Sequence, residues 1–192
     1  TDAMSKLPEI SYCIGRNSAE WEGHSLGIYS LQVADDAYRL YVERAVRARD
    51  DVQAGRITRD AEDILTANIF LTGLSASLAG NCKYLGMAHA LYSELCREFK
   101  PVQSEFLHGE MVALGLAAQW MLGGASEEMV RECVDLLERL GSPVRLGGVG
   151  VELADEVIDR LAAYIVKVMK FETQADADRI RAILVRAWKP GA

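Results

Sequence analysis

His89 and His108 are the side chains best suited to chemistry in this sequence. They lie in Leu85-Gly86-Met87-Ala88-His89-Ala90-Leu91 and in Phe106-Leu107-His108-Gly109-Glu110-Met111-Val112-Ala113-Leu114-Gly115. Both contexts are small, apolar and helical in pattern, and an imidazole has no evident packing purpose there. The chain has only three histidines. Imidazole is the commonest metal ligand and suits zinc. The opposing reading is that a lone histidine on an apolar face is a hydrogen-bonded core residue. The two lie 19 residues apart, which matches no compact ligand spacing, so spacing alone favours that plainer reading. The third, His24, stands in a polar stretch beside Glu22 and Gly23 and reads as a surface residue.

The two segments together say more than either histidine. Ala88-His89-Ala90-Leu91, a loop, and then Leu107-His108-Gly109-Glu110-x-Val112-Ala113-x-Gly115 resemble the C-terminal helical domain of the iron-containing alcohol dehydrogenase superfamily, above all its glycerol dehydrogenase branch. The opening Thr1-Asp2-Ala3-Met4-Ser5-Lys6 is similar to that family's Gly-x-x-Asp-Ala-Leu-x-Lys/Thr motif without its leading glycine. The resemblance runs from Asp2 to the last helix, and the His-Gly-Glu stretch is its most specific piece. It implies that Asp2, His89 and His108 hold one metal ion and are the catalytic residues. Three protein ligands leave a position open, as a catalytic zinc requires. Such an ion lowers the pKa of a bound hydroxyl and stabilises the alkoxide from which hydride leaves. Iron enzymes of the superfamily add a histidine four residues after the aspartate. Here that place is Lys6, whose ammonium cannot ligate, so the resemblance implies zinc ahead of another divalent metal such as iron. Glu110 reads as a capping residue or a support for an imidazole rather than a proton-transfer group.

The resemblance also implies an NAD-dependent alcohol or polyol dehydrogenase, with a small secondary alcohol, a vicinal diol above all, as substrate. In the family an α/β nucleotide-binding domain with a glycine-rich phosphate loop precedes the helical one. No such strand-turn-helix signature occurs here, and Gly147-Gly148-Val149-Gly150 reads as a linker between helices. Residues 1–192 are therefore expected to be the α-helical metal-binding catalytic domain of a longer protein. NAD would be gripped mainly by the absent N-terminal domain, and the fragment alone would be inactive. A homo-oligomer is expected.

Two other readings compete. Dehydroquinate synthase-like sugar-phosphate cyclases share a similar His-Gly-Glu-x-Val-Ala-x-Gly motif. They present a glutamate where Asp2 stands, and a histidine four residues before the first histidine ligand, where this chain has Leu85. The third reading is a non-catalytic helical module. Two departures bear on substrate identity. The stretch from Gly73 to His89 is longer than in glycerol dehydrogenases, and no later histidine-containing segment appears near Lys170-Phe171-Glu172.

Composition narrows the setting. The net charge of −7 argues against nucleic acid, whose binders carry basic patches. No run of 18 apolar residues marks a membrane span, and no signal peptide opens the chain. Cys13, Cys82, Cys96 and Cys133 lack CxxC spacing and are expected to stay reduced in a cytoplasm.

The elements that must position these residues all read as helix. Residues 2–16 form a helical pattern that Pro8 should kink or restart. Residues 26–54 place Leu31, Ala34, Tyr38, Tyr41, Val42 and Ala45 on one face. Residues 58–79 turn apolar all round from Ile64, so Ile64–Ala79 is expected to be buried. Residues 84–99 carry His89 and end before Pro101, and His108 opens the next helix. Met111–Leu122 is again apolar all round, with Gly115, Ala117 and Ala118 permitting close helix contact. Ser126 caps a helix displaying Met129, Cys133, Leu136, Leu137 and Leu140. Residues 151–171 and 173–188 are the last two, the latter opened by the capping-box variant Thr173-x-x-Asp176. No strand pattern occurs. The expected fold is all-α, a bundle of about seven or eight helices resembling the dehydroquinate synthase-like/glycerol dehydrogenase-like C-terminal domain.

Overall fold

Helical periodicity is matched by helices throughout the computed structural model, which describes residues 1–16, 25–80, 86–99 and 104–188. The helices are α1 (Asp2–Arg16), α2 (Ser25–Gln53), α3 (Arg59–Thr66), α4 (Thr72–Leu78), α5 (Met87–Glu98), α6 (His108–Leu122), α7 (Glu127–Arg139), α8 (Asp155–Val168) and α9 (Gln174–Trp188). A π-helical turn, Ala67–Leu71, joins α3 to α4 without a break, so the described residues form eight helical rods and no strand. No helix among them is long and apolar enough to cross a membrane. His24, Cys82, Leu85 and Pro101 lie outside the described residues. The chain divides into two compact units, Ala3–Lys83 and Thr1–Asp2 with Tyr84–Ala192.

In the Ala3–Lys83 unit, Pro8 lies inside α1 and does not end it. Proline removes one backbone donor. One turn earlier the Ser5 hydroxyl donates to the Glu9 carboxylate at 3.0 Å, tying the flanking turns together. α2 packs against the α3–α4 rod through Ser30, Ala34, Ala37, Tyr41, Ala45 and Ala48, all buried. Spacings of three and four make this a single stripe. Val42, expected on that face, is 50% exposed instead. The rods run antiparallel. Ser30 Oγ donates to Ser75 O at 2.7 Å, the Tyr41 hydroxyl meets Thr72 Oγ1 at 3.1 Å, and Arg47 Nε donates to Asp60 at 2.8 Å. At the π turn both the Thr72 amide and its hydroxyl donate to Ala67 O, the hydroxyl at 2.9 Å.

The expectation that Ile64–Ala79 is buried all round fails. Ala67, Ser75 and Ala79 are buried, but Leu65, Phe70 and Ile69 are exposed, Ile69 by 74%. Within the unit, α2 covers the face that carries the small residues and leaves the face that carries the large ones open.

The Tyr84–Ala192 unit is built on α6. Its residues from Met111 to Gln119, with Leu122, are buried, which is why it is apolar on every side. α5, α7 and α9 surround it, and α8 closes over α5 and α9. Leu91, Leu95, Leu114, Leu137, Ile158 and Leu184 fill the space between them. Buried apolar side chains of this size each contribute roughly 1.5–3 kcal/mol. The Trp188 indole donates to Leu114 O at 3.0 Å, fastening the end of α9 to the middle of α6. Both expected caps form. Ser126 Oγ accepts from Met129 N at 3.2 Å, and Thr173 Oγ1 from Asp176 N at 3.1 Å. Gly147–Gly150 lies between α7 and α8, where Leu146–Val149 makes a 3-10 turn. Cys13, Cys96 and Cys133 are buried.

Candidate metal site

α5 and α6 cross in antiparallel sense inside the Tyr84–Ala192 unit, and their contact sets the histidines. Gly115 makes the crossing possible. A Cβ there would lie 2.6 Å from Ala88 Cα and 3.0 Å from Leu91 Cδ1, so the backbone of α5 rests where any side chain at 115 would stand. Ala88 immediately precedes His89. One end of the crossing is fixed by Gln119, which is fully buried. Its Oε1 accepts the Met87 N–H at 2.7 Å, satisfying a first-turn donor of α5 that has no intrahelical partner. At the other end the Tyr92 ring meets the His108 ring edge-to-face, with centroids 4.3 Å apart and planes at 81°. Burial pushes the Cys96 thiol up from its ordinary pKa, opposed by a hydrogen bond with the Tyr92 hydroxyl.

The start of α6 is fixed by its own sequence. Glu110 accepts the Leu107 N–H at 2.8 Å, the capping role read for it. Gly109 lets the chain start approach. A Cβ there would stand 3.0 Å from Thr1 Oγ1 and 3.3 Å from Asp2 N. Thr1 Oγ1 donates to Gly109 O at 2.6 Å, which seats Asp2 over the first turn of α6.

Asp2, His89 and His108 converge. Asp2 Oδ1 lies 3.1 Å from His89 Nε2 and 3.4 Å from His108 Nε2. One ligand atom from each residue lies within 4.8 Å of the others. Donors at adjacent corners of a tetrahedral zinc, with bonds of about 2.0–2.1 Å, stand about 3.3 Å apart. An ordinary aspartate–histidine ion pair needs one imidazole. Here two aim the same nitrogen at the same carboxylate oxygen. The donor set of two neutral nitrogens and one carboxylate oxygen suits a borderline-soft divalent ion. The side chains are 16% (His89), 37% (Asp2) and 46% (His108) exposed, so the cluster is seated in protein on one side and reachable from the other.

The three side chains named from the sequence lie together, and the small-residue contact expected at Gly115 is present. Sequence reasoning missed Gln119, Tyr92 and the packing role of Gly109. An amide among apolar residues on α6 was a legible signal for Gln119. Tyr92 carried only its i+3 spacing from His89. Losing the Gln119 acceptor should leave the Met87 N–H buried and unpaired, at a cost of about 1–3 kcal/mol. Gln119→Met, similar in volume, is expected to lower stability to chemical denaturation by about 2 kcal/mol, and an unchanged midpoint would refute this.

No family model matches the chain. A glycerol dehydrogenase of Citrobacter freundii is 28% identical over 167 residues, 84% of this chain and 42% of its own length. A glycolaldehyde reductase of Halobacterium salinarum is 28% identical over 126 residues, 66% of this chain and 33% of its own length. The chain thus spans less than half the length of these curated relatives. The crystal structure of a glycerol dehydrogenase from Schizosaccharomyces pombe superposes with a TM-score of 0.76 at 22% identity, covering 97% of this chain and 49% of that one. That similarity shows the fold, an all-helical bundle.

Proposed function

From the premise that this chain is a homologue of glycerol dehydrogenases, we propose that it is the metal-binding helical part of an NAD-dependent polyol dehydrogenase. One observation carries the reading: two imidazole Nε2 atoms meet one carboxylate oxygen, at 3.1 and 3.4 Å. Asp2, His89 and His108 are the ligands in this reading. Lys6 stands where a fourth ligand would be, which favours zinc over iron. A divalent ion held there supplies the Lewis acidity that makes a substrate hydroxyl acidic at neutral pH. His89 and His108 fix the donor directions through their seats on α5 and α6. Asp2 contributes the negative charge that keeps the cluster from becoming strongly cationic. The half-exposed side of the cluster leaves room for the alcohol, and a nicotinamide bound by another part of the protein would supply the hydride acceptor.

Two relatives bear names of small, vicinally oxygenated substrates, glycerol and glycolaldehyde. A vicinal diol is accordingly the proposed substrate class, since an ion held by three protein ligands would leave room for substrate oxygens.

Metal analysis of the intact natural protein, followed by a polyol panel with NAD, tests this. Net NADH should accumulate with one or more 1,2-diols. A cyclase would recycle its nicotinamide in each turnover. Phosphate release from a sugar-acid phosphate with no net NADH would therefore replace the dehydrogenase reading, and metal-free protein inert to both would point to a non-catalytic module.

A further inference from the structure

We propose that Tyr92 is a positioning residue for His108, holding the imidazole so that its Nε2 faces Asp2. The proposal rests on the ligand reading above and adds to it a residue outside the ligand set. Tyr92 lies on α5 one turn beyond His89, so one helix carries both a ligand and the group that braces the ligand opposite. Its ring meets the His108 ring at 81° with centroids 4.3 Å apart, nearer than the 5.5 Å between the two imidazoles. That is the edge-to-face arrangement aromatic rings prefer. His108 needs such a brace because it opens α6 and is almost half exposed. The first residue of a helix has no preceding turn to restrict its side chain. Tyr92 is itself half-buried, so the ring that braces His108 is seated in protein. Removing a group that orients a ligating imidazole typically weakens metal binding roughly tenfold or more.

The test uses the intact protein, with zinc affinity read by chelator competition and site geometry by cobalt(II) substitution absorption. Tyr92→Phe keeps the ring and should bind zinc within about threefold of wild type. Tyr92→Leu and Tyr92→Met remove the ring. They should bind roughly tenfold more weakly and alter the cobalt spectrum, while the metal-free proteins melt within a few degrees of wild type. Wild-type affinity in the leucine and methionine variants overturns the proposal, and so does a loss in Tyr92→Phe as large as theirs. In wild type, nuclear Overhauser contacts between the Tyr92 and His108 rings are expected, and their absence overturns the proposal even if the variants fail to fold. A wild type that binds no more zinc than His108→Ala defeats the ligand reading itself. Tight wild-type binding that Tyr92→Leu leaves untouched defeats only the role of Tyr92.

Discussion

Alanine in place of His89 or His108 is expected, on the proposed dehydrogenase reading, to lower diol turnover by the intact protein about a thousandfold. Lewis-acid stabilisation of a developing alkoxide amounts to several kcal/mol, and each 1.36 kcal/mol is a factor of ten. The loss should follow metal content. Chelation of wild type should reproduce it, and a divalent ion should reverse it in wild type but not in the variants. Asp2→Ala should behave alike, because His89 Nε2 and His108 Nε2 both face its Oδ1, at 3.1 and 3.4 Å. Kinetics and metal content measured on the same preparations decide the matter. A metal-replete His89→Ala enzyme with normal turnover would remove His89 from the site.

The second large effect needs no change to any ligand. Gly115→Ala puts a methyl 2.6 Å from Ala88 Cα, and neither backbone can yield without moving α5 against α6. Overpacking of this kind typically costs about 1–3 kcal/mol. The displacement falls beside His89, so zinc affinity and turnover should drop together, turnover by roughly a hundredfold if the ligand moves by about 1 Å. Gly123→Ala, at the residue that ends the same helix, is the control. Its added Cβ would sit 3.5 Å from Trp120 O, an ordinary contact. Denaturation midpoints and zinc titrations of both variants give the comparison. Equal behaviour of the two would show that the crossing at Gly115 does not set the site.

The contrast between two apolar helices shows how far the sequence was legible. Met111–Leu122 and Ile64–Ala79 have the same all-round apolar pattern. The first is central because three helices surround it, and the second is half open because, among the described residues of its unit, α2 covers one face of it and Leu65, Ile69 and Phe70 stay exposed. Side-chain pattern reports what a helix can bury. It does not report how many neighbours arrive. α2 fails in a smaller way. The buried stripe runs at spacings of three and four through Ala37, Tyr41 and Ala48, and Val42, one residue past Tyr41, turns out of it. Pro8 is absorbed into α1, although local rules alone would break the helix there. At the site, no spacing rule joins positions 2, 89 and 108, because the convergence is made by the α5–α6 crossing and by Thr1 seated on Gly109. Only the motif resemblance brought the three together. Gln119 and Tyr92, which hold the crossing at its two ends, belong to no ligand pattern and emerge from geometry alone.

Asp2 packs with residues 84–192 although residues 3–83 form the other compact unit. Its meeting with His89 and His108 therefore closes a very long loop. The entropy of that closure grows only logarithmically with length, but it must be overcome before the carboxylate contributes anything. An ion shared by the three residues would act as a reversible cross-link, and its binding free energy would add to that of folding. Apparent melting temperature should then rise with free zinc. The backbone around Asp2 should be the last to order on refolding and the first to exchange its amides when the ion is withdrawn.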